Sequence, residues 1–362
     1  MTAPRRVPLL LVSLACAACA TAPGQLTVNG RSPAPAGVQT APSGGTTPAT
    51  PASAAPAVVQ LPGQAAAFLA VAPGVPFTGE LLISDRGNHR LLLVGADGSV
   101  SWEFPSPGRT LPVTFGAPDD AFYTQDGRTV IANAEGSQTV TAVDVATSTV
   151  LWQVGHNGVR GTAPGYFSEP DDAVPSADGS IWVADIRNCR LVHLGSGGAW
   201  LGTIGGGGCR HDPPGSLDLP NGAFPAPDGS RVITEIGGSW VTWLNPDGTV
   251  RWSTRSPALY PSDAVPYPDG SVLLTDYSYP GAVYRIDSSG KVVWSYRPRG
   301  ASSLDHPSIA LPLAANRVAV CDDWGNKVLI VDPTTNTVVW TFTGQGSTRL
   351  SLPDGLDYLP VG

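Results

Sequence analysis

Short oxygen-bearing side chains recur directly after proline in this sequence: Asp119 and Asp120, Asp171 and Asp172, Asn221, Ser262 and Asp263, Ser308, and Asp354. Asp305 and His306 stand immediately ahead of Pro307. Carboxylates and an amide brought to one opening form the oxygen-rich set that suits a hard cation such as Ca2+, with Asp120, Asp172 and Asp263 as its candidate ligands. The competing reading is structural, because Asp, Asn and Ser at turns also cap neighbouring backbone groups. The motif repeats, so the structural reading is preferred. No cofactor is required by the sequence, and Ca2+ is the ion this set would suit.

A second set is cationic. Arg109, Arg160, Arg210, Arg255, Arg299 and Arg349 fall one to each connection between the repeats described below. Guanidinium groups gathered on one face would receive a carboxylate, sulfate or phosphate. Arg is nearly the chain's only cation, Lys occurring just at Lys291 and Lys327, so ordinary solvated loop arginines are the preferred reading here too. The ligand-binding candidates are therefore Asp120, Asp172, Asn221, Asp263, His306, Arg160, Arg210 and Arg349. The histidines are His89, His156, His193, His211 and His306. No HExxH or paired CxxC supplies a zinc site, and no Gly-x-Ser-x-Gly turn presents a nucleophile. The catalytic residues stay unassigned.

The elements that must hold these groups follow from internal repetition. Pro118, Pro170, Pro220, Pro261, Pro307 and Pro353 each open a similar unit. Each but the last contains a short strand, a turn often written Asp-Gly, and a second strand. The second strand closes on Asp85, Asn133, Asp185, Glu235, Asp276 or Asp322. Asp followed by Gly supplies the positive φ of a two-residue hairpin turn. A last strand carries Trp102, Trp152, Trp252, Trp294 or Trp340; the third unit has Gly202 there, with Trp200 two residues earlier. A period of roughly 40–50 residues with four short strands is the signature of propeller blades. Six second-strand signals predict an all-β, six-bladed β-propeller over residues 78–362. The first unit lacks the strand that opens the others, and the last Pro-Asp-Gly strand has no strands after it. The C-terminal strand is thus expected to complete blade one and close the ring, which removes exposed edges. The tryptophans read as packing between blades rather than as a cofactor platform.

Leu82-Ile-Ser-Asp85-Arg-Gly-Asn88-His-Arg90-Leu, Ile181-Trp-Val-Ala-Asp185-Ile-Arg-Asn188-Cys-Arg190-Leu-Val and Val320-Cys-Asp322-Asp-Trp-Gly-Asn326-Lys327-Val resemble NHL repeats. The resemblance covers roughly residues 78–360. In it the Asp reaches the Arg or Lys five residues later across a tight turn. Blades two, four and five depart from that pattern at Asn133, at Glu235 and Trp240, and at Asp276 and Ala282. The endings Ser-Thr-Val-Leu-Trp152 and Asn-Thr-Val-Val-Trp340 instead resemble repeats of quinone-dependent dehydrogenase and arylsulfotransferase propellers. The fold expectation is the same for either. Function is not, because propellers host unrelated chemistries.

The N-terminus combines Arg5 and Arg6, the apolar run 7–15, and small residues around Cys16 and Cys19. That is a secretory signal over residues 1–20, with Cys19 as the candidate acylated Cys if it is read as a lipoprotein signal. Residues 21–77 are expected to form a tether, dominated over 21–62 by Ala, Pro, Thr, Gly and Ser. Export implies an oxidising compartment, extracellular, periplasmic or at the cell surface. Cys189, in the turn after the second strand of blade three, and Cys209, in the loop leaving that blade, share a face and are expected to form a disulfide. Cys321 aligns with Ala132 and Ala184 and reads as a buried small residue.

A net charge of −8 excludes a nucleic-acid partner, which needs a basic footprint. Only 14% of residues are charged, against 43 Gly and 36 Pro, which suits many short strands and turns. The expected function is a non-catalytic binding or scaffold propeller holding a protein, glycan or small polar ligand at the loop face. Contact with a membrane would come only through an N-terminal lipid anchor. The alternative is a metal-dependent hydrolase, lyase or arylsulfotransferase-like enzyme with its site at the channel mouth.

Overall fold

The computed structural model describes residues 74–359. The signal segment 1–20 with Cys19, and residues 21–73 of the tether, lie outside the described residues. Phe77, the last residue assigned to the tether, is buried in the core and meets Trp340 edge-on at 5.2 Å.

Six four-stranded antiparallel sheets follow one another in sequence order. In blade one the strands Glu80–Asp85, Arg90–Gly95 and Val100–Phe104 are joined on the inner side by Pro353–Leu359 from the C-terminus. That strand pairs with the first in register Glu80↔Leu359 to Asp85↔Pro353. The ring is closed as the repeat arithmetic requires. Blades two to six are contiguous, with innermost strands Ala121–Tyr123, Pro170–Pro175, Pro220–Pro225, Pro261–Pro266 and Pro307–Leu313.

Burial follows from blades stacking face to face. Inner and second strands are covered on both sides, so Pro170–Pro175 and Ile181–Asp185 are buried throughout. Outermost strands such as Thr337–Phe342 keep one face in solvent. The tryptophans on four of the outermost strands clasp the following blade. The indole nitrogens of Trp102, Trp152, Trp294 and Trp340 donate to Ser148 Oγ, the Ser196 carbonyl, the Pro333 carbonyl and the Ala96 carbonyl at 2.9–3.0 Å. Each acceptor lies in or beside the turn between the third and outermost strands of the next blade, and the last clasp joins blade six to blade one.

The acid that ends each second strand ties down local backbone. Asp85 receives Arg90 Nε at 2.8 Å and Asn88 Nδ2 at 2.9 Å, and Asp185 receives Arg190 at 2.7 Å and Asn188 at 2.8 Å. Lys327 sits 2.9 Å from Asp322. The remaining oxygen of each takes a backbone N–H from the connection entering the innermost strand, those of Ser351, Ser168 and Asp305. In blade four, where no Arg follows Glu235, His211 takes its place at 2.8 Å and stacks on Trp240 at 3.8 Å. The repeat is therefore largely a device for fastening loops to strands.

Candidate functional site

The residues after each proline reach the axis through a backbone irregularity. Pairing of the innermost strands shifts register between Asp171 and Ala173, Pro220 and Ala223, Pro261 and Ala264, and Pro307 and Ala310. A bulge of this kind re-aims side chains, and here it turns two successive residues toward the channel. The outer tier is Asp119, Asp171, Asn221, Ser262, Ser308 and Asp354. The inner tier is Asp120, Asp172, Gly222, Asp263, Ile309 and Gly355. All twelve follow the repeat's proline in order.

Asp119, Asp171, Asn221, Ser262 and Asp354 of the outer tier line a polar hollow of about 70 Å³ together with Asp120, Arg86, Glu135, Tyr260 and Tyr277. Arg86 is its cation. It comes from the turn after the second strand of blade one and lies 2.7 Å from Asp119, 2.6 Å from Asp354 and 3.0 Å from Asp323. Burial opposes its charge, but Asp354, Asp119 and Asp323 together hold its pKa well above the ordinary Arg value. Glu135 and Asp171 face the same hollow without an ion pair among the described residues. Burial, then Asp119 and Glu169, pushes Glu135 up to about 8. Burial, then Asp119 and Asp120, raises Asp171 as well.

In the inner tier, one oxygen from each of Asp120, Asp172 and Asp263 lies within 4.8 Å of the other two. These groups are 1–5% exposed, and Asp120 Oδ1, Asp263 Oδ1 and both oxygens of Asp172 accept no hydrogen bond. Leaving such atoms unsatisfied costs about 1–3 kcal/mol each; shared protons, buried water or a bound cation would each satisfy them. Burial, then Asp263, raises Asp172; burial, then Asp263 and Asp354, raises Asp120; burial pushes Asp263 to about 6. Two glycines clear the space. A Cβ on Gly222 would stand 2.7 Å from Asp263 Oδ1 and 2.9 Å from Asp172 Oδ2, and one on Gly355 2.9 Å from Asp120 Oδ1. The spacing of the oxygens fits a Ca2+ shell with ligands at roughly 2.3–2.6 Å. Beneath this tier Phe122 of blade two meets Phe224 of blade four edge-on at 5.4 Å. Those blades are not neighbours, so the rings meet across the axis.

The structure brings Asp120, Asp172, Asn221 and Asp263 together and leaves the other candidates outside. His306 bonds Asp305 at 2.7 Å and sits between Tyr277 and Trp324, ring centroids 5.0 and 5.1 Å away. It does not line the hollow. Arg160 pairs with Glu169 and Arg210 with Asp212 on the surface, and Arg349 is exposed. The connections between blades begin at the outermost strand, so their arginines stay at the rim. The turn after a second strand lies nearer the axis, which is why Arg86 and Glu135 supply the mouth instead. Cys189 and Cys209 are joined by a disulfide with Cα atoms 5.2 Å apart, and Cys321 is buried as a free thiol.

A family model described as PQQ_2, outer membrane protein assembly factor BamB, matches residues 138–351. The mouse NHL repeat-containing protein 3 is 29% identical over 139 residues, 36% of this chain and 39% of that protein. The chain thus spans about two-fifths of that relative's length. A Bacteroides caccae protein of unknown function superposes with TM-score 0.56 at 14% identity, over 77% of this chain and 98% of its own. A streptogramin B lyase does so with TM-score 0.52 at 14% identity, over 76% and 83%. At such identities the structural likeness speaks to the fold alone. The NHL-like blades and the Trp-ended blades are both repeats of one β-propeller type.

Proposed function

Because the chain belongs to the PQQ_2 repeat family described for the outer membrane protein assembly factor BamB, we propose that it is an exported, non-catalytic binding propeller whose ligand docks on the acidic channel mouth. The family description and the N-terminal secretory pattern both support export. Among a protein, a glycan and a small polar molecule, the mouth favours a ligand that brings a cationic group, such as a Lys- or Arg-bearing protein segment. One observation carries this reading. A single guanidinium, Arg86, is shared by Asp119, Asp323 and Asp354, while Glu135 and Asp171 beside it have no cation of their own. Trp324, 55% exposed and bonded through its indole N–H to Tyr277, adds an aromatic surface next to those acids.

The test is fluorescence anisotropy with labelled basic, neutral and acidic peptides of equal length. Measured above pH 8, where Glu135 is ionised, the basic peptide should bind more tightly, its affinity should fall as salt rises, and Glu135→Gln with Asp171→Asn should weaken it. Equal affinity for all three peptides would refute the proposal.

A second reading is a metal-dependent hydrolase or lyase at Asp120, Asp172 and Asp263, favoured by their unpaired buried oxygens. A hollow of about 70 Å³ is small beside the roughly 300–1,000 Å³ of typical small-molecule sites, so a cation in this cage is proposed as structural. Metal analysis of the purified protein and thermal melts with Ca2+ and with chelator distinguish the cases. Activity abolished by chelation would establish the enzyme.

A further inference from the structure

Blade three departs from the repeat at the surface it turns toward blade four. Across the second, third and outermost strands, register aligns Leu82–Leu93–Trp102 in blade one and Ile131–Ala142–Trp152 in blade two. The same row in blade three is Trp182–His193–Gly202. The large ring has moved inward and the outer position is left to glycine. A Cβ on Gly202 would meet nothing within 4 Å. In blades one and two, Trp102 and Trp152 clasp the turn between the third and outermost strands of the next blade. In blade four that turn contains Pro246 and Thr249, and here they line an open cleft of about 510 Å³ with Trp182, Ile204, Pro214 and Arg231.

Arg231 is the unusual member of that cleft. Its side chain lies over Trp182, with the guanidinium carbon 3.7 Å from the ring centroid, while His193 stacks on Trp182 at 4.2 Å and 8°. It is only 9% exposed, yet it makes no hydrogen bond or ion pair with a described residue, and Nη1 is fully buried without a partner. A buried charge ordinarily has a counter-charge or a full set of hydrogen bonds. Burial alone lowers this guanidinium to about 10, with Asp178 only partly opposing it. A guanidinium fixed by an aromatic face directs its N–H groups along its own plane, the geometry that accepts a carboxylate bidentately. Ile204, Pro214 and Pro246 give the cleft apolar walls.

We propose that the cleft between blades three and four is a binding site for a small organic monocarboxylate, its carboxylate on Arg231 and its apolar body against Ile204, Pro214 and Pro246, beside the turn that a Trp at position 202 would reach across to cover. A single anionic group fits best, since Asp247 also lines the cleft and would repel a second. This site is separate from the channel mouth and does not rest on the proposal made for it.

The experiment uses benzoate as the probe and benzamide as its neutral counterpart, with intrinsic fluorescence and thermal shift read at pH 7. Benzoate should quench and stabilise the protein, and benzamide should do neither. Arg231→Met should weaken benzoate roughly thirtyfold or more, the usual scale for removing one partner of a buried charge pair. Gly202→Trp, which restores the residue other blades carry, should abolish binding without lowering the melting temperature. It therefore keeps the test intact if Arg231→Met fails to fold. Glu135→Gln should leave benzoate binding unchanged, separating this site from the mouth. No response to benzoate, equal response to benzamide, or binding that survives Gly202→Trp would overturn the proposal.

Discussion

Removing the guanidinium of Arg86 would leave Asp119, Asp323 and Asp354, all of them buried, without the cation they share. Burial already raises Asp354 well above its ordinary range and pushes Asp323 up to about 6, so Asp323 is largely protonated at pH 5 and ionised at pH 8. Arg86→Met should therefore destabilise strongly at pH 8, by about 3 kcal/mol, and much less at pH 5. Urea unfolding at the two pH values checks this, and an equal loss at both would mean that the acids do not exchange protons with solvent in this range. Asp185→Ala is the structural contrast. It removes the acceptor of Arg190, Asn188 and the Ser168 N–H from a site with no exposure. Leaving Arg190 without its buried partner should cost about 3–5 kcal/mol. Peptide binding at the mouth should be unchanged in the fraction that remains folded.

Strands and turns differ in how far their roles could be read from residue types. The innermost strands were legible because proline, acid and alanine recur at one period, and the closing strand followed from which unit was incomplete. The acids of the inner tier were legible for the same reason. Arg86 and Glu135 were not, since a turn after a second strand reads as solvent-facing until the ring's curvature brings it to the axis. The row Trp182–His193–Gly202 was visible only as a missing Trp, because its meaning depends on register across three strands. The disulfide joins both kinds of element. Cys189 occupies a left-handed position, φ 53°, at the end of a tight turn, and Cys209 lies in the connection that leaves the same blade. With the two cysteines 20 positions apart in sequence, closing this loop restricts the unfolded chain by about 3 kcal/mol on the chain-entropy model. Cys189→Ser with Cys209→Ser should lower stability by about that amount in denaturant unfolding. A change below about 1 kcal/mol would show that the loop is held by its backbone bonds, such as Gly206 N–H to the Cys189 carbonyl at 2.9 Å, and not by the bridge.

At the scale of the whole ring, closure and charge are coupled, because the closing strand carries part of the buried acid. Asp354 contributes to the mouth, and Asp357, with no exposure, accepts the Tyr123 N–H of blade two at 2.8 Å and is pushed to about 7 by burial. With Glu135 near 8 and Asp263 and Asp323 near 6, several carboxyls bind protons more tightly in the folded ring than the unfolded values of roughly 4. The stability they contribute is present in full below about pH 4 and is lost as pH rises through about 6 to 8. His193, lowered first by burial and then by Arg231, acts in the opposite sense, but only below its unfolded value of about 6.5. The range from pH 6.5 to 8 is thus governed by the acids. The melting temperature should fall across that range, and Ca2+ should restore it at pH 8 by neutralising Asp120, Asp172 and Asp263, with a gain that grows with ion concentration as ligand linkage requires. Asp172→Asn should abolish the Ca2+ response while the fall with pH, carried also by Glu135 and Asp357, persists. A melting temperature that stays level or rises from pH 6.5 to 8 would mean that the folded ring binds no more protons there than the unfolded chain, so that its channel acids are already ionised at pH 6.5 and burial does not hold their protons.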